Sequence, residues 1–113
     1  MPFINTKFTG EISEAQQEAI ETAFGKAVEV LGKTESWLMV GFEQDCALYF
    51  RGNKPASAAF VEVSIYGKAS PAACDSMTAE ICRILTRELA VPADMIYVKY
   101  SPTEQWGWNG GNF

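Results

Sequence analysis

Trp37-Leu38-Met39-Val40-Gly41-Phe42 and Met95-Ile96-Tyr97-Val98-Lys99-Tyr100 decide how this chain folds. The two stretches lie 58 residues apart, and Trp37, Leu38, Val40 and Phe42 fall on Met95, Ile96, Val98 and Tyr100. The same offset carries Leu31 onto Leu89 and Phe8 onto Tyr66, and sets Ser13 beside Ser70. Self-similarity at a fixed offset marks an internal repeat. The expectation is one domain over residues 1–113, made of two pseudo-repeats, 1–58 and 59–113.

Around these stretches each half reads strand, helix, strand. Residues 3–8 are β-branched and aromatic enough for a strand, which Gly10 breaks. Ser13-Glu14-Ala15-Gln16 has the pattern of a capping box, with the serine hydroxyl and the glutamine amide serving each other's backbone. The helix that follows carries Ala19, Ile20, Ala23, Phe24, Ala27, Val28, Val30 and Leu31 on one face, and Gly32 stops it. Residues 36–42 then read as a long strand and 46–51 as a short one, before a turn at Gly52-Asn53-Lys54-Pro55. In the second half residues 60–66 are a strand, Ser70 is an N-cap and Pro71 takes the first helical position. Cys74, Met77, Ile81, Ile84, Leu85 and Leu89 form that helix's apolar face, Val91-Pro92-Ala93-Asp94 ends it, and residues 95–100 are the last long strand. Asn109-Gly110 predicts a terminal hairpin.

Two parallel strands in one half need a helical crossover, and right-handed crossovers put both helices on the same side. The predicted class is therefore α+β: duplicated β-α-β units forming a four-stranded sheet, two helices on one face, and short edge strands. Alternation along the strands gives an aliphatic set for the helices to cover: Ile4, Leu38, Val40, Phe42, Val61, Val63, Ile65, Ile96 and Val98. The opposite set mixes Phe3, Trp37, Met39, Phe60, Met95 and Tyr97 with Asn5, Glu62, Ser64 and Lys99. That face is too apolar for water and too polar for a dry core, which predicts a subunit interface or a wet cavity.

The composition narrows the function classes. Nine Lys and Arg against fourteen Asp and Glu give a net charge of −5, and no basic stripe lies between the aromatics, so a nucleic-acid partner is not expected. No apolar run approaches the ~20 residues of a membrane span, and the N-terminal stretch alternates like a strand rather than offering the apolar core of a signal peptide. The cytosol is the expected compartment; an extracellular role would need secretion without a signal peptide. Cys46, Cys74 and Cys82 form no metal-ligand spacing, and without histidine no metal site is expected; the thiols read as small reduced hydrophobes.

The absence of histidine also leaves few groups that can carry protons near neutral pH. Removal of Met1 would expose Pro2 as a secondary amine at the head of a strand, a candidate general base. Proline there is ordinarily just a strand-starting residue, and Lys33, one residue past a helix end, is ordinarily a surface lysine favoured by the helix dipole.

The opening Met1-Pro2-Phe3-Ile4, the segments Leu31-Gly32-Lys33, Ser64-Ile65 and Pro92-Ala93-Asp94-Met95-Ile96-Tyr97-Val98, and the ending Gly107-Trp108-Asn109-Gly110-Gly111-Asn112-Phe113 together resemble the macrophage migration inhibitory factor family of the tautomerase superfamily, in its microbial and protist branches. The resemblance runs the whole length of the chain. It implies a homotrimer with the sheets forming an inner barrel, sites at subunit interfaces, and no cofactor. It implies a keto–enol tautomerase acting on phenylpyruvate-like aromatic α-keto acids, with Pro2 as base. Lys33 would bind the substrate carboxylate, Ser64 and Ile65 would contact the substrate, and Trp37, Tyr97, Trp108 and Phe113 would form an aromatic wall, with Tyr97 and Trp37 reaching in from a neighbouring subunit. Lys99 stands where the mammalian protein has asparagine and Trp37 where it has tyrosine; a second lysine would favour more acidic substrates. The family's CxxC is replaced by Ala58-Ala59-Phe60-Val61, so thiol-oxidoreductase activity does not carry over. The alternative function is a cytokine-like protein that engages a host immune receptor, with tautomerase activity secondary.

Overall fold

The structure, a computed structural model, describes all 113 residues, Met1–Phe113. Its elements are β1 (Pro2–Phe8), α1 (Glu14–Ala27), β2 (Met39–Glu43), β3 (Ala59–Tyr66), α2 (Pro71–Leu89), β4 (Ile96–Thr103) and a terminal pair, β5 (Gly107–Trp108) and β6 (Gly111–Asn112). The main sheet has the order β2-β1-β3-β4. β1 and β2 are parallel, β3 and β4 are parallel, and the two halves meet antiparallel along β1 and β3. Each half is thus a β-α-β crossover, with its helix on the sheet.

The expected caps form. Ser13 Oγ accepts from the Gln16 backbone N–H at 3.2 Å while Gln16 Oε1 accepts from the Ser13 N–H at 2.8 Å. Ser70 Oγ accepts from the Ala73 N–H at 3.0 Å, with Pro71 at the head of α2. After α1 the chain tightens into a 3-10 turn, Val28–Leu31, and Gly32 leaves it at φ 72°. That left-handed conformation suits glycine, and it turns Lys33 back towards the sheet.

The core lies between the helices and the aliphatic face. Ile4, Val61, Val63, Ile65 and Ile96 are buried against Ile20, Phe24, Met77, Ile81, Ile84 and Leu85, and Leu38, Val40, Phe42 and Val98 pack at its margin. Thr6 is the one buried polar residue, and its hydroxyl has no hydrogen-bond partner. Tyr100 ties β4 to α2: its hydroxyl donates to the Cys74 carbonyl oxygen at 2.9 Å and lies 2.8 Å from Thr78 Oγ1. Cys46, Cys74 and Cys82 are free and half-buried.

Four local expectations need correction. The second strand starts at Met39, because Glu35–Trp37 forms a 3-10 turn instead of extended chain. Met95 also sits in such a turn, Ala93–Met95, where strand parity does not apply, and it packs against the core. Residues 46–51 form no strand. Phe50 and Asn53 exchange backbone bonds of 2.8 and 3.0 Å around Arg51-Gly52, both at positive φ, so the reversal comes two residues earlier than expected. The last strand runs on to Thr103. The tail does form a hairpin, with Asn109 and Gly110 at φ 52° and 86°, the turn geometry that suits the strand twist.

Candidate active site

The chain start, the turn Glu35–Trp37 and the terminal hairpin converge at one end of the sheet. They enclose a cleft of about 710 Å3 lined by Pro2, Phe3, Trp37, Met39, Ser64, Trp106 and Trp108. Pro2 sits there by register, paired with Ile65 at the far end of β3, which sets Ser64 opposite Phe3. Ile65 itself points into the core and is buried.

Polar groups gather around the chain start. Lys33 Nζ donates to the Tyr66 carbonyl oxygen at 2.9 Å. The Tyr66 N–H donates to the Met1 carbonyl oxygen at 3.1 Å. The amine of Met1 is held below its ordinary pKa, first by burial and second by the Lys33 ammonium. Both causes disfavour the charged form of the Met1 amine.

Aromatic rings wall the same region. Trp37 meets Trp108 edge-on, centroids 5.0 Å apart. Trp108 lies parallel to Phe113 at 6.3 Å, and Phe113 rests on Tyr66 at 5.6 Å. Phe113 is fixed by its backbone N–H, which donates to the Trp106 carbonyl oxygen at 3.1 Å. The wall is thus continuous from the turn before β2 to the end of β3.

Comparison with known proteins now bears on this arrangement. The family model described as macrophage migration inhibitory factor (MIF) matches residues 1–113. The chain belongs to the macrophage migration inhibitory factor family. Among solved structures it is similar to MIF2 of Leishmania major, at 35% identity and a TM-score of 0.94, covering 100% of this chain and 97% of that one. The Prochlorococcus marinus MIF homologue matches at 26% identity and a TM-score of 0.87, with 98% of each chain covered. The Toxoplasma gondii protein, at 24% identity and a TM-score of 0.91 over 98% and 99% of the chains, shows the same fold. So does a protein described as inactivated by 2-oxo-3-pentynoate, at 13% identity and a TM-score of 0.82 over 96% and 93%. A comparison with curated protein sequences gives no match. MIF-family proteins are typically homotrimers, and membership supports a tautomerase-type or MIF-like function.

Of the residues singled out in the sequence, this MIF-family chain brings Pro2, Lys33, Ser64, Ile65, Trp37, Trp108 and Phe113 to one end of the sheet. Trp37 lies in its own chain's cleft, so it does not need to come from a neighbour. Tyr97 and Lys99 do not join the group. Tyr97 pairs with Phe60, five residues back along β3 from Ile65, about 17 Å from the Pro2 end at strand spacing. There its ring packs on Phe50 at 5.1 Å. Lys99 pairs across the strands with Glu62, whose carboxylate is 3.4 Å from Lys7 Nζ. Tyr66 was not among the expected site residues, although its backbone serves both Lys33 and Met1 and its ring supports Phe113. Only the partner strand's register reveals those roles.

The sheet face away from the helices is open in the single chain. Met39 is 68% exposed and Tyr97 60%, among Lys7, Glu62 and Lys99. The alternation had marked this face as one needing a cover. Among the groups of the chain no cluster of three or more Cys, Asp or Glu has the arrangement of a metal site, and no helix is long and apolar enough to cross a membrane.

Proposed function

We propose that the chain is a cofactor-independent keto–enol tautomerase of phenylpyruvate-like α-keto acids, and that Pro2, freed by removal of Met1, is its general base. The observation that carries this reading is the environment of the chain start. Burial and the Lys33 ammonium both push the Met1 amine towards its neutral form, and a Pro2 amine one residue along would meet the same two influences as it accepts a proton.

In the proposed reaction the neutral Pro2 nitrogen takes a proton from one site of the substrate and returns it to the other, between the carbon next to the ketone and the enol oxygen. Lys33 pairs with the substrate carboxylate. The same cation stabilises negative charge that develops on the enolate. Loss of Met1 also removes the oxygen that now accepts from the Tyr66 N–H. That donor then faces the site without a protein partner, and a substrate oxygen can take the vacated place. Trp37, Trp108 and Phe113 flank the substrate's ring. Three copies assembled through the open sheet faces would complete the site, with Tyr97 and Lys99 supplied from the next subunit.

The reading is tested with 2-oxo-3-pentynoate, the reagent that inactivates a protein of this fold. A neutral secondary amine adds to the alkyne conjugated with its ketone: the new N–C bond forms and the amine proton moves to the neighbouring carbon. Intact mass should rise by one whole reagent molecule per chain, peptide mapping should place it on Pro2, and turnover of phenylpyruvate should fall in step. Labelling confined to Cys46, Cys74 or Cys82, with turnover intact, would overturn the proposal.

A further inference from the structure

A second cavity lies on the helical side of the molecule, away from the cleft. α1 and α2 run antiparallel: the Gln16 side-chain amide, near the start of α1, donates to the Glu88 carbonyl oxygen at the end of α2, at 3.1 Å. The furrow between them encloses about 330 Å3. Thr22 and Lys26 line its α1 side, and Glu80, Arg83 and Arg87 its α2 side.

The charge in this furrow opposes that of the chain. The whole chain carries −5, yet the furrow gathers three of its nine cations against one carboxylate. Arg83 and Arg87 stand four residues apart on one helix face, a spacing at which like charges repel. Each is steadied by an acid of its own helix, Arg83 by Glu80 and Arg87 by Glu88. Those bonds aim the guanidinium groups without exhausting them. Glu80 takes Nη2 of Arg83 and Glu88 takes Nε of Arg87, and each group has five N–H donors in all. Lys26 forms no salt bridge, and none of the chain's three ion pairs joins α1 to α2.

Below these cations the floor is aliphatic. Ala23 and Ala27 form it, the stems of the arginines and Lys26 extend it, and Val30 continues it with 42% of its surface exposed. No aromatic ring lines the furrow, so it offers no stacking platform for a base or an aryl group. Its volume sits at the small end of ligand cavities, whereas a stable protein partner would cover about 800 Å2 of surface.

We propose that the furrow between α1 and α2 binds a small aliphatic carboxylate, its head on Arg83 and Arg87 and its tail along Ala23, Ala27 and Val30. Guanidinium groups match the planar carboxylate geometrically, and the floor takes the chain that the charge alone would not hold.

The full chain is titrated with butanoate, hexanoate and octanoate, read by calorimetry and by amide shifts in nitrogen–proton NMR spectra. Octanoate should saturate and should move the amides of Thr22, Ala23, Val30 and Arg83. Each added CH2 should tighten binding about twofold, because an open furrow gives about half the free-energy gain of full burial. Arg83→Gln/Arg87→Gln should weaken octanoate binding about threefold to tenfold. Val30→Ser should flatten the dependence on chain length and leave butanoate binding unchanged. Shifts confined to Ser64, Trp106 and Trp108 would put the ligand in the cleft and overturn the inference. So would equal affinity for butanoate and octanoate, undiminished binding to the double arginine variant, or no saturation by octanoate. Binding of a polyglutamate peptide without binding of octanoate would mark a surface for acidic protein and overturn it too. Should the double arginine variant fail to fold, Val30→Ser decides: a chain-length dependence that it leaves intact overturns the inference.

Discussion

Replacing Lys33 by methionine removes one charge and keeps most of the stem, and two separate consequences follow. The ammonium is fixed by its 2.9 Å bond to the Tyr66 carbonyl oxygen, close enough to the chain start to disfavour a charged amine there. A hydrogen bond to a charged group contributes about 1.5–3 kcal/mol, so losing the carboxylate partner should raise KM for phenylpyruvate about 10- to 150-fold. The second consequence concerns pH. At the Met1 amine burial is the larger cause of the lowered pKa and the Lys33 charge the smaller; a Pro2 base beside the same lysine would keep the first in Lys33→Met and lose the second. The pKa of the base should therefore rise part of the way back to an ordinary amine. Because the base works as the neutral amine, activity rises with pH through that pKa, and the rising limb of kcat/KM should move to higher pH. Lys33→Arg keeps the charge and should leave the limb in place while changing KM. The assay follows the ultraviolet absorbance of the enol across the pH range in which the amine titrates. A KM within about twofold of the parent, or a limb that stays put or moves to lower pH in Lys33→Met, would refute the reasoning.

Three further substitutions probe the scaffold. Thr6→Val replaces a buried hydroxyl that has no partner by a methyl group of similar shape, and should stabilise the fold by about 1–2 kcal/mol in denaturant titration. Tyr100→Phe strips the bonds to Thr78 and the Cys74 carbonyl oxygen, and should cost about 1–2 kcal/mol with the sheet intact by circular dichroism. Met39→Glu sets a carboxylate on the open sheet face, and should shift light-scattering mass from three chains towards one; a mass unchanged from the parent would count against assembly through that face.

Much of the fold was legible because its signals are local. Ser13 with Gln16 and Ser70 with Pro71 announce their helices, Gly32 announces a stop, and Asn109-Gly110 a hairpin, because each side chain acts on its own neighbouring backbone. The aliphatic set was legible by parity wherever a strand really runs. Parity misled at Trp37 and Met95, where one turn of 3-10 helix precedes each parallel strand and rotates the side chains out of alternation. Residues 46–51 misled for a related reason. Leu48, Tyr49 and Phe50 have strand composition, but the chain there leaves the sheet: Phe50 packs on Tyr97 and pairs only with Asn53 across a tight turn, not with a strand.

The site divides the same way. The resemblance pointed to Pro2, Lys33, Trp108 and Phe113, and the fold brings them together at one end of the sheet. Tyr66 was invisible because its part is played by its backbone N–H and carbonyl, which carry no sequence signature. Tyr97 and Lys99 lie towards the other end of β3, so any part they play must be assembled from another copy.

The most direct test of the account is the enol–keto turnover of phenylpyruvate by protein beginning at Pro2, measured beside the same chain with Met1 retained and with equal assembly verified for both. The account predicts turnover in the first and near-complete loss in the second, where the Pro2 nitrogen is an amide without basicity. Equal turnover in the two would contradict it.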